Sequence, residues 1–505
     1  MAGRIGNQKF LDKVMSADDA AAFIEPGDSI GFSGFTGAGY PKEVPGALAR
    51  RIKAATDRGE EFKVRVFTGA STAPELDGVL AETNNMAFRT PYQSDPSLRK
   101  VINNGTTDYC DIHLSHLSKM INLGYMGDID VAVVEATLIT EDGKVVPTSS
   151  VGMSRTYLAR AKKIIIEVNE WQTEDLYGMH DIYYGIGQVP PNTPPIPITA
   201  PGDLIGEKAF TIDTDKVVAV VKTNDPDRNS PFKPLDDDSK KIAGYLLDLF
   251  DHEVRHGRMP ANLFPLQSGV GNIANAVLAG LLDSKYENMT SYTEVIQDGM
   301  VNLIDAGKIS VASATSFSLS PDAAHHMNEN ASDYRGKIIL RPQDVSNHPE
   351  VIRRLGVISC NGMIEADIFG NVNSTHISGT RMMNGIGGSG DFTRSASLSI
   401  FVSPSTAKDG AISTIVPMVS HVDHTEHDVM VIITEYGVAD LRGLSPRRRP
   451  EVIIDNCAHP DYRAALHEYY DRALKTNKAI HTPMDLDNAF SFHQRLRDTG
   501  TMMPS

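Results

Sequence analysis

The chain offers few side chains that could act as a nucleophile. Its three cysteines, Cys110, Cys360 and Cys457, lie far apart and form no Cys-x-x-Cys pair. No Gly-x-Ser-x-Gly turn presents a serine, so carboxylates remain. Glu294 stands in an apolar, strand-like segment, 292–299, that ends in Asp-Gly. A glutamate there lies partly buried or at a strand end, although its residue type alone favours an ordinary surface position.

Two glycine-rich turns could bind an anion. The first, 267–272, leads into an apolar helix, so that free N–H groups and a helix N-terminus point at one place. A tight turn without a ligand explains it equally well. The second, 384–391, is denser in glycine and favours a nest of exposed backbone amides. A third glycine-rich turn, 31–42, ends in Lys42, which could meet an anion or belong to a structural repeat.

A histidine- and acid-rich segment, 421–428, suggests a metal site. His421 and His424 are three residues apart, with Asp423 between them. The segment lies between two strand-like stretches, where this spacing fixes no coordination geometry, and no His-Glu-x-x-His occurs. We therefore interpret it as a polar loop beside a cleft and predict no metal site.

Short Val- and Ile-rich runs must position these motifs. They alternate with helical stretches along the whole chain, for example at 163–168 and 429–434. Continuous apolar strands separated by helices indicate parallel sheets that are covered on both faces. The sequence therefore predicts an α/β fold.

A proline-rich segment near 223–237 predicts a domain boundary. Landmarks recur in the same order on both sides of it, including Glu-Ala pairs that begin at Glu135 and Glu365. We interpret this as two tandem α/β domains of related design, 1–225 and 226–505. Coincidence between common strand–turn patterns is the alternative.

Composition excludes several classes of protein. The 505 residues are 41% hydrophobic and 22% charged, which is ordinary for a chain with a real core. The net charge of −16 makes general nucleic-acid binding a poor hypothesis. The N-terminus shows no apolar stretch of a secretory signal, and the few cysteines fit a reducing compartment. We expect a soluble cytoplasmic protein that binds no membrane.

Several segments together carry a family resemblance. Residues 292–300 resemble the nucleophilic-glutamate segment of class I coenzyme A (CoA) transferases, and turns 267–272 and 384–391 resemble the two glycine loops of that family. Further similar stretches are 34–43, 68–71, 339–347 and 434–443. The ordered set is most similar to the acetyl-CoA hydrolase/transferase family, in its succinyl-CoA:acetate branch. The resemblance implies two tandem CoA-transferase-type α/β domains with largely parallel sheets, the second carrying the nucleophile and the CoA site.

The resemblance also implies a reaction. Glu294 would attack the carbonyl of an acyl-CoA and form a mixed anhydride, and the CoA thiolate would return to give a glutamyl-CoA thioester. A second carboxylate would run the sequence backwards. CoA would thus move between succinyl-CoA and acetate, or similar short acids, without a metal. The implied partners are acyl-CoA and short carboxylates, and the implied assembly is a homodimer.

The family's site residues transfer to numbered positions of this chain. Backbone amides of Val270 and Gly388 would form the oxyanion hole for Glu294. The positions that match CoA contacts are Gly269, Val270, Gly271, Asn272, Ile273, Ile364, Asn384, Gly388 and Lys408. Positions on the substrate side are Ser71 and Asn347, in a small-acid pocket, and Glu435, a supporting carboxylate.

Two other functions fit the same sequence. An acetyl-CoA hydrolase would use the same glutamate with water as the final acceptor, and the difference depends on how well water is excluded. A non-catalytic CoA or sugar-phosphate binding protein would require Glu294 to be incidental. The preferred pair of acids stays open.

Overall fold

The computed structural model describes residues 3–186, 191, 193–228, 234–269 and 271–503. The chain forms two compact units. Unit 1 consists of Met1–Pro231, Thr290–Ile304 and Ile309–Leu355, and unit 2 of Phe232–Met289, Asp305–Lys308 and Gly356–Ser505. Residues 290–304 and 309–355, which the predicted boundary assigns to the second domain, therefore pack with the first unit. The division at residue 225 stays a prediction for the family domains.

Strands recur through both units, as the apolar runs predict. In chain order, the described residues form β1 Ser29–Phe32, β2 Val64–Phe67, β3 Met86–Thr90, β4 Asp108–Tyr109, β5 Val131–Ala136, β6 Leu138–Ile139, β7 Val145–Val146, β8 Lys163–Asn169, β9 Val217–Thr223, β10 Leu266–Ser268, β11 Met289–Tyr292, β12 Val295–Gln297, β13 Ile309–Ala314, β14 Ser316–Ser318, β15 Ile338–Leu340, β16 Ile358–Gly362, β17 Glu365–Asp367, β18 Val372–Asn373, β19 His376–Ile377, β20 Arg381–Met382, β21 Leu398–Val402, β22 Thr406–Ala407, β23 Ile412–Ser413, β24 Ile415–Val416, β25 Val431–Thr434 and β26 Gly437–Asp440.

Helices alternate with these strands. In chain order, the described residues form α1 Gln8–Leu11, α2 Ala17–Ala21, α3 Val44–Asp57, α4 Val79–Glu82, α5 Pro96–Asn103, α6 Leu114–Asn122, α7 Ser154–Arg160, α8 Asp237–Arg255, α9 Asn272–Leu282, α10 Asp298–Asp305, α11 Pro321–Asn330, α12 Gln343–Ser346, α13 Pro349–Leu355, α14 Ser389–Ser395, α15 Arg449–Cys457, α16 Pro460–Thr476 and α17 Ser491–Thr499.

A parallel sheet runs through unit 1 in the order β4–β3–β2–β1–β5–β8–β9. Every residue of β5 is buried, and so is every residue of β8 except Lys163. Strands that are buried along almost their whole length need cover on both faces, which α3 helps to supply with a buried stripe that includes Val44, Leu48 and Ile52. The predicted α/β class with largely parallel sheets is confirmed.

The later segments add shorter ladders to unit 1. β12 pairs in parallel with β14, and β13 pairs in parallel with β15. Glu294 directly precedes β12, and β15 leads into α12, so the two segments that join unit 1 bring predicted site residues with them.

In unit 2, β10, β16, β21 and β25 run parallel in that order, and β26 closes the row antiparallel to β25. Helices α9 and α14 both pack against β16. Helix α8 follows its N-cap Asp236, whose side chain accepts a hydrogen bond from the Ser239 amide. No helix among the described residues is both long and apolar enough to cross a membrane.

Candidate active site

In unit 1 the predicted site residues follow the carboxyl ends of strands. Ser71 comes after β2, Glu294 after β11 and Asn347 after β15 and α12. Loops at the carboxyl ends of parallel strands are the usual place for ligands in α/β folds, because the helices that follow also begin there.

The backbone on both sides of Glu294 is hydrogen-bonded. The Thr293 amide donates to the carbonyl oxygen of Ser313 at 2.9 Å, and the Thr315 amide donates to the carbonyl oxygen of Glu294 at 3.0 Å. The phenol of the fully buried Tyr292 donates to the Val345 carbonyl at 2.7 Å. The half-buried carboxylate of Glu294 therefore projects from a fixed backbone.

A small apolar cluster connects the nucleophile segment to two loops. Val295, the residue after Glu294, packs with Phe35, Ala70 and Leu114. Phe35 belongs to the first glycine-rich turn of the chain, and Ala70 precedes Ser71. Through these neighbours, unit 1 brings Glu294 together with the loop that carries the predicted acid-pocket serine.

A buried ion pair fixes the Ser71 loop. The Arg89 guanidinium bonds both carboxylate oxygens of Asp77, at 3.0 and 3.1 Å, and neither side chain is exposed. Arg89 also donates to the Ala70 carbonyl at 3.1 Å, and Asp77 accepts from the Thr72 amide at 2.9 Å. The residues before and after Ser71 are thus tied to opposite members of one pair.

Gly69 allows a close approach beside this loop. A Cβ at this position would lie 2.7 Å from the carbonyl oxygen of Gly34 and 3.1 Å from Oε1 of Gln343. The backbone carbonyl could not move aside easily, so a larger residue would force the two loops apart. Position 69 therefore requires glycine, because any side chain would clash with the facing loop.

Asn347 lies fully buried at the end of α12. Its amide nitrogen donates to the Gln343 carbonyl at 3.2 Å and to Ser346 Oγ at 2.9 Å. Its Oδ1, like Oε1 of Gln343, is buried and accepts no hydrogen bond from the residues that the structure describes. Such polar atoms are costly when left unpaired, and a polar ligand could satisfy them.

Lys42 is not available to an incoming anion, contrary to one of the two sequence hypotheses. Its buried ammonium bonds Glu135, Asp227 at 2.9 Å and the Tyr40 carbonyl at 2.8 Å. Asp227 also accepts from the Gly39 amide at 3.0 Å. Lys42 is therefore the counter-ion of two buried carboxyls, and it also bonds the backbone of the glycine-rich turn.

Two carboxyls near Lys42 have strongly shifted pKa values. Burial raises the pKa of Glu135 to about 8, although Lys42 opposes the shift. Burial also raises the pKa of Glu167 to about 7, even though this carboxylate accepts hydrogen bonds from the Glu43 and Val44 amides at the start of α3. Burial alone would raise the pKa of Asp227 too, but Lys42 holds it below its usual value.

In unit 2 three predicted CoA contacts and the predicted supporting carboxylate Glu435 come after neighbouring parallel strands. Gly269 follows β10, Ile364 follows β16, Lys408 comes after β21, and Glu435 directly follows β25. Gly269, Ile364 and Glu435 thus lie at one edge of the row of strands, whereas Lys408 lies on the separate hairpin of β22 and β23.

The first glycine loop opens α9. Gly269 donates its amide to the Cys360 carbonyl at 3.0 Å. Gly271 is the N-cap with φ 134°, a conformation that favours glycine. Asn272 and Ile273 form the first turn and are half-buried. Val270, the predicted oxyanion donor, lies outside the described residues.

The second glycine loop opens α14. Gly388 is the buried N-cap of this helix, and its carbonyl accepts from the Phe392 amide at 3.1 Å. Asn384 lies half-buried at the start of the loop. The helices that follow the two glycine loops, α9 and α14, both pack against the same strand, β16.

Lys408 and Glu435 are connected through one short segment. Lys408 is exposed at the turn between β22 and β23, with φ 51°. Glu435 accepts from the amide of Ser405 at 2.8 Å and also from its hydroxyl. Glu435 therefore anchors the hairpin that carries Lys408, a role the sequence did not predict.

The segment 421–428 makes a polar network. Asp423 accepts from the Ser374 amide at 2.7 Å and from the Thr375 hydroxyl at 2.8 Å, and His421 lies 3.3 Å from it. Among the described residues, no group of three or more His, Cys, Asp or Glu side chains is arranged to hold a metal.

Sequence reasoning missed the residues that support the site. Arg89, Asp77 and Gln343 surround the acid-pocket loop. His424, which the sequence raised only as a possible metal ligand, contacts the second glycine loop. Gln343 stands inside one of the family-like segments, which is the one signal that could have singled it out. The others pair with distant positions that no local pattern indicates.

The chain belongs to the acetyl-CoA hydrolase/transferase family. The N-terminal domain of that family matches residues 3–222, and its C-terminal domain matches residues 324–470.

Individual relatives cover nearly the whole chain. The succinyl-CoA:acetate CoA-transferase of Clostridium kluyveri is 49% identical over 99% of this chain and 92% of its own. An acetyl-CoA hydrolase of Kluyveromyces lactis is 44% identical over 99% of this chain and 97% of its own. The crystal structure of RipA from Yersinia pestis, 23% identical, covers 92% of this chain and 98% of its own with a TM-score of 0.71, which supports the fold.

Proposed function

We propose that this protein moves CoA between succinyl-CoA and acetate, or similar short carboxylates, through a glutamyl-CoA thioester. The observation that carries the proposal is the position of Glu294: a half-buried carboxylate on a fixed backbone, whose neighbour Val295 packs against the loop of Ser71. Similarity to the Clostridium kluyveri transferase supports the choice of substrates.

The reaction follows from carboxylate chemistry. A Glu294 oxygen attacks the thioester carbonyl, the C–S bond breaks, and CoA leaves as a thiolate. The thiolate then attacks the glutamyl carbonyl of the mixed anhydride and releases the first acid as its carboxylate. A second carboxylate attacks the glutamyl-CoA thioester, and the same steps in reverse give the new acyl-CoA. Each step exchanges one activated acyl bond for another, so no ATP is consumed.

The remaining residues take supporting roles in this proposal. Amides of Val270 and Gly388 stabilise the tetrahedral oxyanions. The first glycine loop, with Ile364, Asn384 and Lys408, binds CoA. Ser71 and Asn347 bind the small acid. Glu435 supports the substrate side through the Ser405 segment.

We further expect a homodimer that acts in the cytoplasm on acyl-CoA and short carboxylates, without a metal and without nucleic acid. The acidic net charge of −16 and the low cysteine content support this setting.

Replacing the nucleophile tests the proposal. Glu294→Ala should reduce transfer by at least about 10⁴-fold while CoA still binds, because only the group that accepts the acyl unit is lost. Borohydride should inactivate the wild-type protein after incubation with acyl-CoA alone and should not affect the variant. Glu329→Ala, at an exposed position of α11, is the matched control and should keep full activity. Near-normal turnover by Glu294→Ala would contradict the mechanism.

Acetyl-CoA hydrolysis is the second candidate, favoured by the Kluyveromyces lactis relative. The same glutamyl intermediate would then react with water. Release of CoA from acetyl-CoA should be measured with and without added succinate. A transferase releases little free CoA without an acceptor and forms succinyl-CoA with one, whereas a hydrolase releases CoA at the same rate in both.

A further inference from the structure

His424 is a buried histidine that the proposed reaction does not use. It is 3% exposed and lies in the segment 421–428, which the sequence suggested as a metal site. Its backbone pairs with Val372: the Val372 amide donates to the His424 carbonyl at 2.8 Å, and the His424 amide donates back at 3.0 Å. Its ring packs on Phe401, with centroids 4.7 Å apart. The imidazole is therefore fixed in position.

The Nε2 atom of this ring contacts two serines. It lies 3.2 Å from Oγ of Ser389 and 3.3 Å from Oγ of Ser374. Ser389 is the first residue of α14 and directly follows Gly388, whereas Ser374 lies outside the glycine loop. One ring nitrogen thus connects the segment 421–428 to the loop that carries a predicted oxyanion donor.

The hydrogen bonds define the direction of this contact. The Ser389 hydroxyl has one proton and donates it to the Ile386 carbonyl at 2.7 Å. We assign His424 the tautomer with a proton on Nε2, in which the Ser389 oxygen accepts from the ring. The two hydrogen bonds run in one direction: His424 donates to Ser389, and Ser389 donates to a carbonyl of the glycine loop.

We infer that His424 is a positioning residue for the Gly388 amide, acting through Ser389. An oxyanion donor contributes fully only when its direction is set before the charge develops, and a glycine-rich loop has little side-chain packing to set it. The His424–Ser389–Ile386 chain supplies that restraint. This inference rests on the proposed function, in which Gly388 stabilises the oxyanion.

Three variants test the inference in the full-length protein with saturating acetate. His424→Phe keeps the ring volume and the packing on Phe401 but removes the donor. It should lower kcat about 10- to 100-fold with less than about 3-fold change in KM for succinyl-CoA, since a single oxyanion donor accounts for roughly 10²- to 10³-fold in rate. His424→Gln, whose amide can place an N–H near the position of Nε2, should recover kcat to within about 5-fold of wild type. Ser374→Ala is the matched control and should stay within about 3-fold.

A variant of Ser389 tests the inference independently, even if His424→Phe does not fold. Ser389→Ala should lower kcat to a similar extent, and the double variant with His424→Phe should fall no further than the lower single variant. Additive losses, a His424→Gln variant as slow as His424→Phe, or full kcat in Ser389→Ala would overturn the inference. Activity retained by Glu294→Ala would instead overturn the proposed function, so the two failures are distinguishable.

Discussion

Glu135 in unit 1 and Glu365 in unit 2 occupy matching places in the repeated landmarks of the sequence, and both side chains are buried. Their pKa values nevertheless shift in opposite directions. Burial raises the pKa of Glu135 to about 8. Burial also disfavours the charge on Glu365, but hydrogen bonds from His493 and from Ser420 hold the pKa of this carboxyl below its usual value.

The number of partners explains the difference. Lys42 bonds both Glu135 and Asp227, so two buried carboxyls share one cation. Glu135 also accepts from Asn169 Nδ2 at 3.2 Å, yet burial still raises its pKa. Glu365 receives donors of its own. A repeated landmark therefore places a carboxyl in the fold, and the residues that arrive from distant parts of the chain decide its charge.

The largest expected effect comes from removing the cation that is shared in unit 1. Lys42→Met leaves the Asp227 carboxylate buried without its counter-ion, and breaking a buried pair from one side costs about 3–5 kcal/mol of unfolding free energy. Urea unfolding at pH 7 measures the loss.

Lys63→Met is the control for this experiment. Lys63 pairs with Glu61 on the surface of unit 1, where both side chains are more than half exposed, so its loss should leave the unfolding midpoint nearly unchanged. Equal midpoints for Lys42→Met and the wild type would show that Lys42 is not the counter-ion that unit 1 requires.

A smaller, pH-dependent effect should separate the two glutamates. Between about pH 5 and pH 8 the unfolded chain has ionised Glu135, while the folded chain still holds the proton, so the wild type loses stability as the pH rises. Glu135→Gln cannot ionise. Its unfolding free energy should therefore rise relative to the wild type across this window, as measured by urea unfolding in steps of pH.

Glu365→Gln should show the opposite behaviour. The folded pKa of Glu365 is lowered, so its stabilising contribution is complete above the unfolded pKa near 4.5 and is lost as the pH falls through the folded value. The variant should be less stable than the wild type at neutral pH and should approach it in acid. Parallel pH profiles for the two variants would contradict the comparison.

Local patterns in the sequence predicted the strands, the helix that follows the first glycine turn and the parallel class of sheet. Periodicity and glycine turns act over a few residues, which is why α9 begins close to where it is expected.

The sequence did not predict which residues pair when they lie far apart in the chain. Glu135 and Asp227 lie 93 and 185 residues from Lys42, and His424 lies 35 residues from Ser389. The assignment of segment 290–304 to unit 1 has the same origin, because it depends on packing of Val295 against loops near the start of the chain. No periodic pattern encodes such contacts.

The smallest expected effect concerns the exposed lysine of unit 2, which contrasts with the buried Lys42. Lys408 stands at a hairpin turn in solvent, so Lys408→Ala should leave the unfolding free energy unchanged. If its ammonium meets a phosphate of CoA, the variant should raise KM for succinyl-CoA about 2- to 5-fold at low salt, with the effect shrinking at high salt because exposed charges are screened. Lys408→Arg should keep the wild-type KM, and Lys285→Ala, which removes another exposed lysine of unit 2, should not change it. If Lys408→Ala has the wild-type KM at low salt, Lys408 does not bind CoA. Glu435 would then anchor a hairpin that has no role in binding.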